Sequence, residues 1–320
     1  MKIVCIQSPV YDYLTSTLIE GLQQLGHTII ASENSNYAKK VSDTLLKKNS
    51  ENADLILFFS NKLARHGTLT KINNTNKIFI DGDDSQKFLV PNFIKFKAIF
   101  KREINLYHVN KYNEPIFPLP FAAENRYFNH PKMNRNIPIS YVANMHSAYR
   151  YAVYECLSSK NIKNAYLGNT IEPKPKIKIK GGPTETPIFR EILFKSNISV
   201  NVIGGGYDCA RYWEILSSGA LLLTQNIDIL MPNPFIGNTH CVIFNSLKEL
   251  DERVDFLLSN KDCIEKIRED GYKHLIDHHT TKARAEYFLK CIKNIKPESY
   301  CNSFYEPSKV NFFLNFFKSP

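Results

Sequence analysis

The sequence predicts two doubly wound α/β domains joined by a proline-rich stretch. Three observations predict this architecture: a βα alternation in the first half, the same alternation restarting in the second half, and a cluster of prolines between the two. The prolines are Pro115, Pro118, Pro120, Pro131 and Pro138. They mark an interdomain linker, and 320 residues are enough for two domains with separate cores.

The first half begins with KIVCIQ, a short apolar run typical of a strand. LTSTLIEGLQQLG then has apolar residues at helical spacing and ends at Gly26, a residue that favours a helix C-terminus. HTIIASE, ADLILFF and NKIFIDGDD predict further strands, and the last two have the continuous apolar character of parallel strands covered on both faces. KFKAIFKRE places Phe96 and Phe100 at helical spacing. We expect an N-terminal domain over residues 1–130.

The second half repeats the alternation. Its predicted strands are IPISYVAN, AYLGN, ISVNVIG, ALLLTQ and HCVIF, and its predicted helices are RYAVYECLSS, TPIFREILFKS, DCARYWEILSSG and SLKELDERVDFLLSN, with helical patterns continuing to about residue 296. We expect the second domain over residues 138–296. The tail, 297–320, is expected to be a helix packed back on the body. Its phenylalanines leave open a peripheral contact with the inner face of a membrane.

Composition excludes several classes of protein. Apolar residues make up 43% and charged residues 22% of the chain, which is typical of a soluble globular protein. No apolar run is long enough for a transmembrane helix, and the N-terminal run is too short for a signal peptide, so we expect a cytoplasmic protein. Seven cysteines without a CxxC pair indicate neither a disulfide framework nor a zinc site. A net charge of +10 favours an anionic partner: a nucleotide, a membrane surface or a nucleic acid.

The segment from Gly204 to Glu214 has the pattern of an anion site. Gly204, Gly205 and Gly206 follow a predicted strand and allow the backbone to turn and approach a ligand closely. Asp208 is predicted to be the N-cap of the next helix. The free N–H groups around Tyr207 and Cys209, together with the positive end of the helix dipole, suit a diphosphate.

Two charged residues extend this pattern. Arg211 adds a fixed positive charge in the first turn, and Glu214 lies three residues further along, where a carboxylate can accept hydrogen bonds from two ribose hydroxyls. The same pair could equally be an ordinary surface ion pair on a helix. The residues alone leave both interpretations open, because three glycines before a helix are a weak motif.

The wider order of residues resembles the C-terminal domain of group 1 glycosyltransferases, specifically the CgeB-like, spore-maturation branch. The resemblance runs from about Ile198 to Arg284 and includes an upstream segment, PIFPLPFAAENRYF, followed by ISYVAN and Arg150. The matching residues are Asp208, Arg211, Glu214, Ser218, Gly219, Ala220, the apolar run Leu221 to Thr224, the helix from Leu247 to Leu258, His279, Thr280 and Arg284. Together they are more specific than any single motif.

The resemblance implies a GT-B fold, with two Rossmann-like domains facing each other across a cleft. It implies an N-terminal acceptor side and a C-terminal domain that binds a nucleotide sugar without metal or other cofactor. The ribose-binding glutamate maps onto Glu214, and a donor-facing arginine maps onto Arg150. The sequence departs from the family at Gly206, where many members have a glutamate, and at Asn144, where they have a glycine-containing turn.

We therefore expect a hexosyltransferase that uses a UDP-sugar, with a GDP-sugar as the alternative. The expected donor contacts are Glu214, Arg211, Asp208, Tyr207, Gly206, Gly205, Arg150, Asn144 and Lys195. Candidates for a catalytic base are Asp12, His66 and Asp83, and a retaining mechanism would need none of them. The expected acceptor is a glycan, a lipid-linked glycan or a protein. Two alternatives remain: transfer to modified DNA bases, as in phages, and an inactive protein that binds nucleotide sugars.

Overall fold

The computed structural model describes residues 1–35, 37–60, 72–85, 96–109, 116–128, 134–169 and 186–295. The chain forms two compact units. Unit 1 contains Met1–Pro120, Ile229–Met231 and the chain from Arg284 onward, and unit 2 contains Phe121–Asp228 and Pro232–Ala283. The expected tail helix, 297–320, lies outside the described residues.

These bounds differ from the expected ranges 1–130 and 138–296, because the chain returns to unit 1 twice. The Leu230 N–H donates to the Ile104 carbonyl oxygen at 2.6 Å, which ties the short return to unit 1. The Phe288 ring lies 4.6 Å from the Phe100 ring, centroid to centroid, so the end of the described chain completes the same unit. Sequence order alone does not show such returns.

Unit 1 contains a six-stranded sheet in the order β2-β1-β3-β4-β5-β6, and every pair of neighbouring strands is parallel. Its strands are β1 Lys2–Ile6, β2 Thr28–Ala31, β3 Leu55–Ser60, β4 Lys77–Asp81, β5 Ala98–Lys101 and β6 Ile116–Pro118. Its helices within the described residues are α1 Tyr13–Gln24, α2 Asp43–Glu51 and α3 Leu106–Val109. The strands predicted from KIVCIQ, HTIIASE, ADLILFF and NKIFIDGDD are therefore confirmed.

The expected helix in KFKAIFKRE is wrong, because its centre forms β5. Phe100 is fully buried in that strand, and Phe96 precedes it and packs against Phe58 and Phe79. The spacing of two phenylalanines is compatible with a helix, but burial on both faces of a parallel sheet also produces apolar residues without strict alternation. Helix α1 ends as expected, with Gly26 at φ +78°.

Unit 2 contains a five-stranded sheet in the order β11-β10-β9-β7-β8, again parallel at every pair. Its strands are β7 Ile137–Ala143, β8 Tyr166–Asn169, β9 Ser196–Asn201, β10 Leu221–Gln225 and β11 Val242–Phe244. Its helices are α4 Ala148–Ser159, α5 Thr186–Lys195, α6 Ala210–Ser217, α7 Leu247–Ser259 and α8 Lys261–His278, and α9 Thr281–Lys293 begins here and continues into unit 1. All of the strands and helices predicted for the second half are present.

The strand order of unit 2 places its switch point between β7 and β9. The chain runs from β7 outward to β8 on one side, then returns to place β9 on the other side of β7. In open parallel sheets, ligands bind outside the carboxyl ends of the strands at such a point. The loops that follow β7 and β9 are therefore the place in unit 2 where a ligand site is expected.

No helix in the described ranges is long and apolar enough to cross a membrane. No group of three or more His, Cys, Asp and Glu side chains in the same ranges is arranged to hold a metal ion.

Candidate functional site

Arg150 joins the two loops at the switch point of unit 2. Its guanidinium is buried and donates from Nη1 to the Asn144 carbonyl oxygen at 3.0 Å, in the loop after β7. It also donates from Nε to the Ile203 carbonyl at 2.9 Å and from Nη2 to the Val202 carbonyl at 3.1 Å, both after β9. These bonds fix the two loops relative to each other. Contact of Arg150 or Asn144 with a donor stays a prediction.

The glycine loop after β9 is tightly closed. The Gly204 N–H donates to the Gly206 carbonyl oxygen at 2.8 Å. A Cβ at position 204 would lie 3.0 Å from the Cys209 Sγ and 3.1 Å from the Arg150 Nη2. Only glycine therefore fits at 204 without displacing the side chain that joins the two loops. Gly205 is exposed, and Gly206 and Tyr207 are partly exposed, so this loop is accessible to a ligand.

The prediction that Asp208 is the N-cap of α6 is wrong, because Cys209 holds that position. The Asp208 carboxylate is buried and bound on both oxygens instead. Oδ2 accepts from the Phe121 N–H at 2.7 Å, and Oδ1 accepts from the Trp213 Nε1–H at 2.7 Å. Its acceptors are thus directed toward protein donors, and a buried carboxylate with two such bonds holds neighbouring segments in place.

Arg211 lies in the first turn of α6 with part of its guanidinium unused. Its Nε and Nη1 atoms are buried, and no residue in the described part of the chain accepts a hydrogen bond from them. Arg211 also lies close enough to Arg150 that its charge, after the larger effect of burial, lowers the pKa of Arg150. Two cations near each other, each in the first turn of its own helix, favour the binding of an anion.

Glu214 is buried one turn further along α6. Burial raises the pKa of its carboxyl group, whereas a hydrogen bond from the Tyr127 hydroxyl and the charges of Arg211 and Arg126 oppose the rise. Glu214 therefore lies between the arginine at the start of α6 and the segment 121–128, which precedes β7 and contains a 3-10 turn at Asn125–Tyr127.

Sequence reasoning missed the individual residues of this segment. Tyr127 and Glu124 are buried, and Glu124 Oε2 accepts from the Arg126 Nε–H at 2.8 Å. The signal was the pattern Glu-x-x-Tyr, which places a charged and an aromatic residue directly after the apolar run PLPFAA. No local rule connects that pattern to Glu214, which is distant along the chain.

One predicted donor contact, Lys195, and one residue of the family pattern, His279, lie away from the glycine loop. Lys195 is the last residue of α5, directly before β9, and its Nζ pairs with Glu191. Because the glycine loop follows the opposite end of β9, about 17 Å of strand separates the two. Lys195 therefore does not join this site. His279, from the ending His-Thr-x-x-x-Arg, is fully buried, and its carbonyl oxygen accepts from the Ala123 N–H at 2.9 Å.

The candidate bases of unit 1 lie after different strands. Asp12 follows β1 and is the N-cap of α1, where Oδ2 accepts from the Thr15 N–H at 2.7 Å. Asp83 follows β4, and its N–H donates to Asp81 Oδ1 at 3.1 Å while its carbonyl accepts from Lys101 Nζ at 3.3 Å. His66 lies outside the described residues. A catalytic role for any of the three stays a prediction.

Comparison with known proteins agrees with this geometry. A family model described as "Glycosyl transferase-like" matches residues 172–290, a range that contains β9, the glycine loop, Arg211 and Glu214. Residues 172–290 are thus similar in sequence to a glycosyltransferase-like domain. No curated protein sequence matches the chain significantly.

Solved structures define the fold. A glycosyltransferase from Rickettsia africae is 16% identical with a TM-score of 0.62, over 91% of this chain and 97% of that one. An α-glucosyltransferase in complex with UDP-glucose and DNA is 11% identical with a TM-score of 0.61, over 92% and 99%. HepE from Anabaena, in complex with UDP and glucose, is 8% identical with a TM-score of 0.61, over 92% and 100%. The chain therefore has the GT-B fold, with two Rossmann-like parallel sheets.

Proposed function

We propose that the protein is a glycosyltransferase that binds a nucleotide sugar at the loop between β9 and α6 and transfers its hexose unit. The observation that carries the proposal is Arg211 in the first turn of α6, close to Arg150 of α4, with buried donors of Arg211 that no described residue uses. When the glycosidic bond to the diphosphate breaks, negative charge develops on the leaving group. Fixed cations and a helix N-terminus stabilise that charge without rearranging during the reaction.

The proposed donor is a UDP-sugar, with a GDP-sugar as the alternative. Glu214 would accept hydrogen bonds from the ribose hydroxyls, and the N–H groups around Tyr207 and Gly206 would contact the phosphates. The complexes of the structural relatives with UDP-glucose or UDP support the choice of uridine. The protein groups supply the electrostatic stabilisation themselves, so we propose that neither metal nor other cofactor takes part. We also assign the chain to the CgeB-like branch of the family.

The proposed acceptor is a glycan, a lipid-linked glycan or a protein. If the reaction inverts the anomeric centre, the catalytic base that takes a proton from the acceptor would be Asp12, Asp83 or His66. Transfer to modified DNA is the second candidate, which the net charge of +10 and the DNA complex of a relative support. A steep salt dependence of DNA binding would favour this candidate, and no binding at low salt would eliminate it.

The proposal is tested by thermal unfolding with UDP, GDP and their sugars, each with and without EDTA. We expect at least one nucleotide to raise the melting temperature, and EDTA to leave the shift unchanged. Glu214→Ala should reduce the shift. Many family members have a glutamate where this chain has Gly206. This difference is the reason for the alternative that the protein binds nucleotide sugars without catalysing transfer. Release of nucleoside diphosphate from the sugar, lost in Arg211→Ala, would exclude that alternative. No shift with any nucleotide would refute the proposal.

A further inference from the structure

The turn 236–241, directly before β11, is closed by a histidine nitrogen. The Ile236 N–H donates to His240 Nδ1 at 3.1 Å. In the same turn, the His240 N–H donates to the Ile236 carbonyl oxygen at 2.8 Å, and the Asn238 N–H donates to the Cys241 carbonyl oxygen at 2.7 Å. A backbone N–H can only donate, so Nδ1 is the acceptor and carries no proton. The closed turn therefore requires a neutral His240 ring, with its single proton on Nε2.

Helix α8 packs on this turn and places another histidine against His240. The rings of His240 and His274 are stacked, with centroids 4.2 Å apart and an interplanar angle of 14°. His274 is held there by its Nε2–H, which donates to the Asn233 carbonyl oxygen at 2.9 Å. The backbone is equally close, since a Cβ at Gly271 would lie 2.1 Å from the His240 carbonyl oxygen. A charge on His240 would therefore lie directly against a second histidine ring.

The surroundings of His240 oppose its protonation. Burial lowers the pKa of His240, and the charges of His274 and His278 lower it further, whereas the charge of Asp270 raises it. These three groups, all on α8, are the charged and titratable groups that face His240. The pKa in the closed turn thus lies below that of a free histidine, about 6.5. The closed turn is therefore fully stable above that pH and loses stability as the pH falls below it.

Aromatic rings connect the turn to α6. Phe235 directly precedes the turn, and its ring stacks on the His279 ring with centroids 4.6 Å apart. The same ring meets the ring of Trp213, in α6, edge-on at 6.2 Å. Arg211 lies in the first turn of this helix. Movement of the turn 236–241 would therefore disturb the packing of the helix that carries Arg211.

We propose that the turn 236–241 is a pH-sensitive switch, in which a proton from solvent adds to His240 Nδ1, displaces the Ile236 N–H and opens the turn. Opening loosens the packing of Phe235 against α6. The opening itself is a property of unit 2 alone. Its consequence for ligands rests on the proposed function: nucleotide binding should weaken in acid because Arg211 lies in α6.

The first test measures hydrogen exchange at pH 7.5 and pH 5.5, with protection factors corrected for the intrinsic rate at each pH. In the wild type, protection in the turn and in Val242–Phe244 should fall about tenfold, because protonation of a histidine one unit below its free pKa favours the open state by that factor. The amides of Lys2–Ile6, in unit 1, should keep their protection. His240→Asn places an amide oxygen where Nδ1 stands, so the acceptor remains without titrating, and its turn should stay protected at both pH values.

The matched control is His27→Asn. His27 lies in unit 1, its Nδ1 accepts from the N-terminal ammonium group at 3.2 Å, and burial lowers its pKa as well. This variant should retain the wild-type response of the turn 236–241. A loss of the response in both variants would mean that the effect is not specific to His240 and would overturn the proposal.

The second test needs no variant, so it applies even if His240→Asn folds poorly. The chain has one tryptophan, Trp213, and its side chain is fully buried. Its emission should move to longer wavelength as the pH falls from 7.5 to 5.5, because looser packing admits water to the ring. Constant emission together with unchanged protection of the turn would overturn the proposal, as would a His240→Asn protein that responds like the wild type.

Calorimetric titration with UDP and with GDP at both pH values tests the consequence for ligands. We expect the wild type to lose more affinity in acid than His240→Asn does. Equal losses in the two proteins would overturn the connection between the turn and α6. A wild type that binds neither nucleotide at either pH would refute the proposed function, whereas a tenfold fall in protection would still support the switch.

Discussion

Arg150 and Arg211 lie near each other but differ in how their guanidinium donors are used. Arg150 donates to three backbone carbonyls and joins two loops. Arg211 keeps buried donors that no described residue uses. Buried hydrogen-bond donors without acceptors cost stability, and sites that bind ligands commonly carry such costs. The difference distinguishes Arg150, which holds two loops together, from Arg211, to which the proposed function assigns the nucleotide.

We predict that Arg211→Met leaves the free energy of unfolding unchanged or higher, while nucleotide affinity falls at least about tenfold. Arg150→Met, the matched control, should lower the free energy of unfolding by about 3 kcal/mol, because it leaves buried carbonyls without donors. Urea unfolding and calorimetric titration measure the two quantities. If Arg211→Met destabilised the protein as strongly as Arg150→Met, the proposed distinction would be wrong.

Helix α8 packs so closely on the loop before β11 that it requires a glycine. A Cβ at Gly271 would lie 2.1 Å from the His240 carbonyl oxygen. Gly26, after α1, is also a required glycine, but for a different reason: its φ is +78° and a Cβ there would meet no atom within 4 Å. One position is restricted by packing and the other by backbone conformation.

We predict that Gly271→Ala lowers the free energy of unfolding by about 3 kcal/mol, despite a gain of about 1 kcal/mol in helix propensity. Gly26→Ala should cost only about 1 kcal/mol, from backbone strain. Urea denaturation of the two variants gives the comparison. A Gly271→Ala protein as stable as the wild type would mean that the helix and the loop can separate freely.

Local pattern predicted most elements but not the ones with weak patterns. Helix α2 buries only Leu46 and Ser50 in an otherwise polar stretch, and β6 is three residues long and ends at a proline. The start of α6 was predictable because glycines, Arg211 and Glu214 are neighbours in sequence. The position of Tyr127 and the contact between Asp208 and Phe121 were not, because they join residues far apart in the chain.

The two units are not consecutive pieces of sequence. Residues 284–295 belong to unit 1. In that unit the Phe288 ring packs on the Phe100 ring of β5. The GT-B fold of the whole chain therefore depends on a last segment that returns to the first sheet. The family match at 172–290 extends across this return and is not a structural unit by itself.

We predict that Phe288→Ala accelerates hydrogen exchange in Ala98–Lys101 while the amides of Ser196–Asn201 keep their protection. Removing a buried phenylalanine lowers the free energy of unfolding by about 3–5 kcal/mol. Local opening should increase first in the unit that loses the contact. Mass spectrometry of peptic fragments measures both regions in one experiment. Equal acceleration in both strands would show that the units open together.

The return of the chain at Arg284 has a consequence for synthesis on the ribosome. All six strands of the first sheet have been translated by residue 118, yet the ring that covers Phe100 is residue 288. Part of the apolar surface of the first sheet therefore stays uncovered until residue 288 has been made. Nascent chains stalled before residue 284 should bind hydrophobic-surface chaperones more strongly than chains that have passed it.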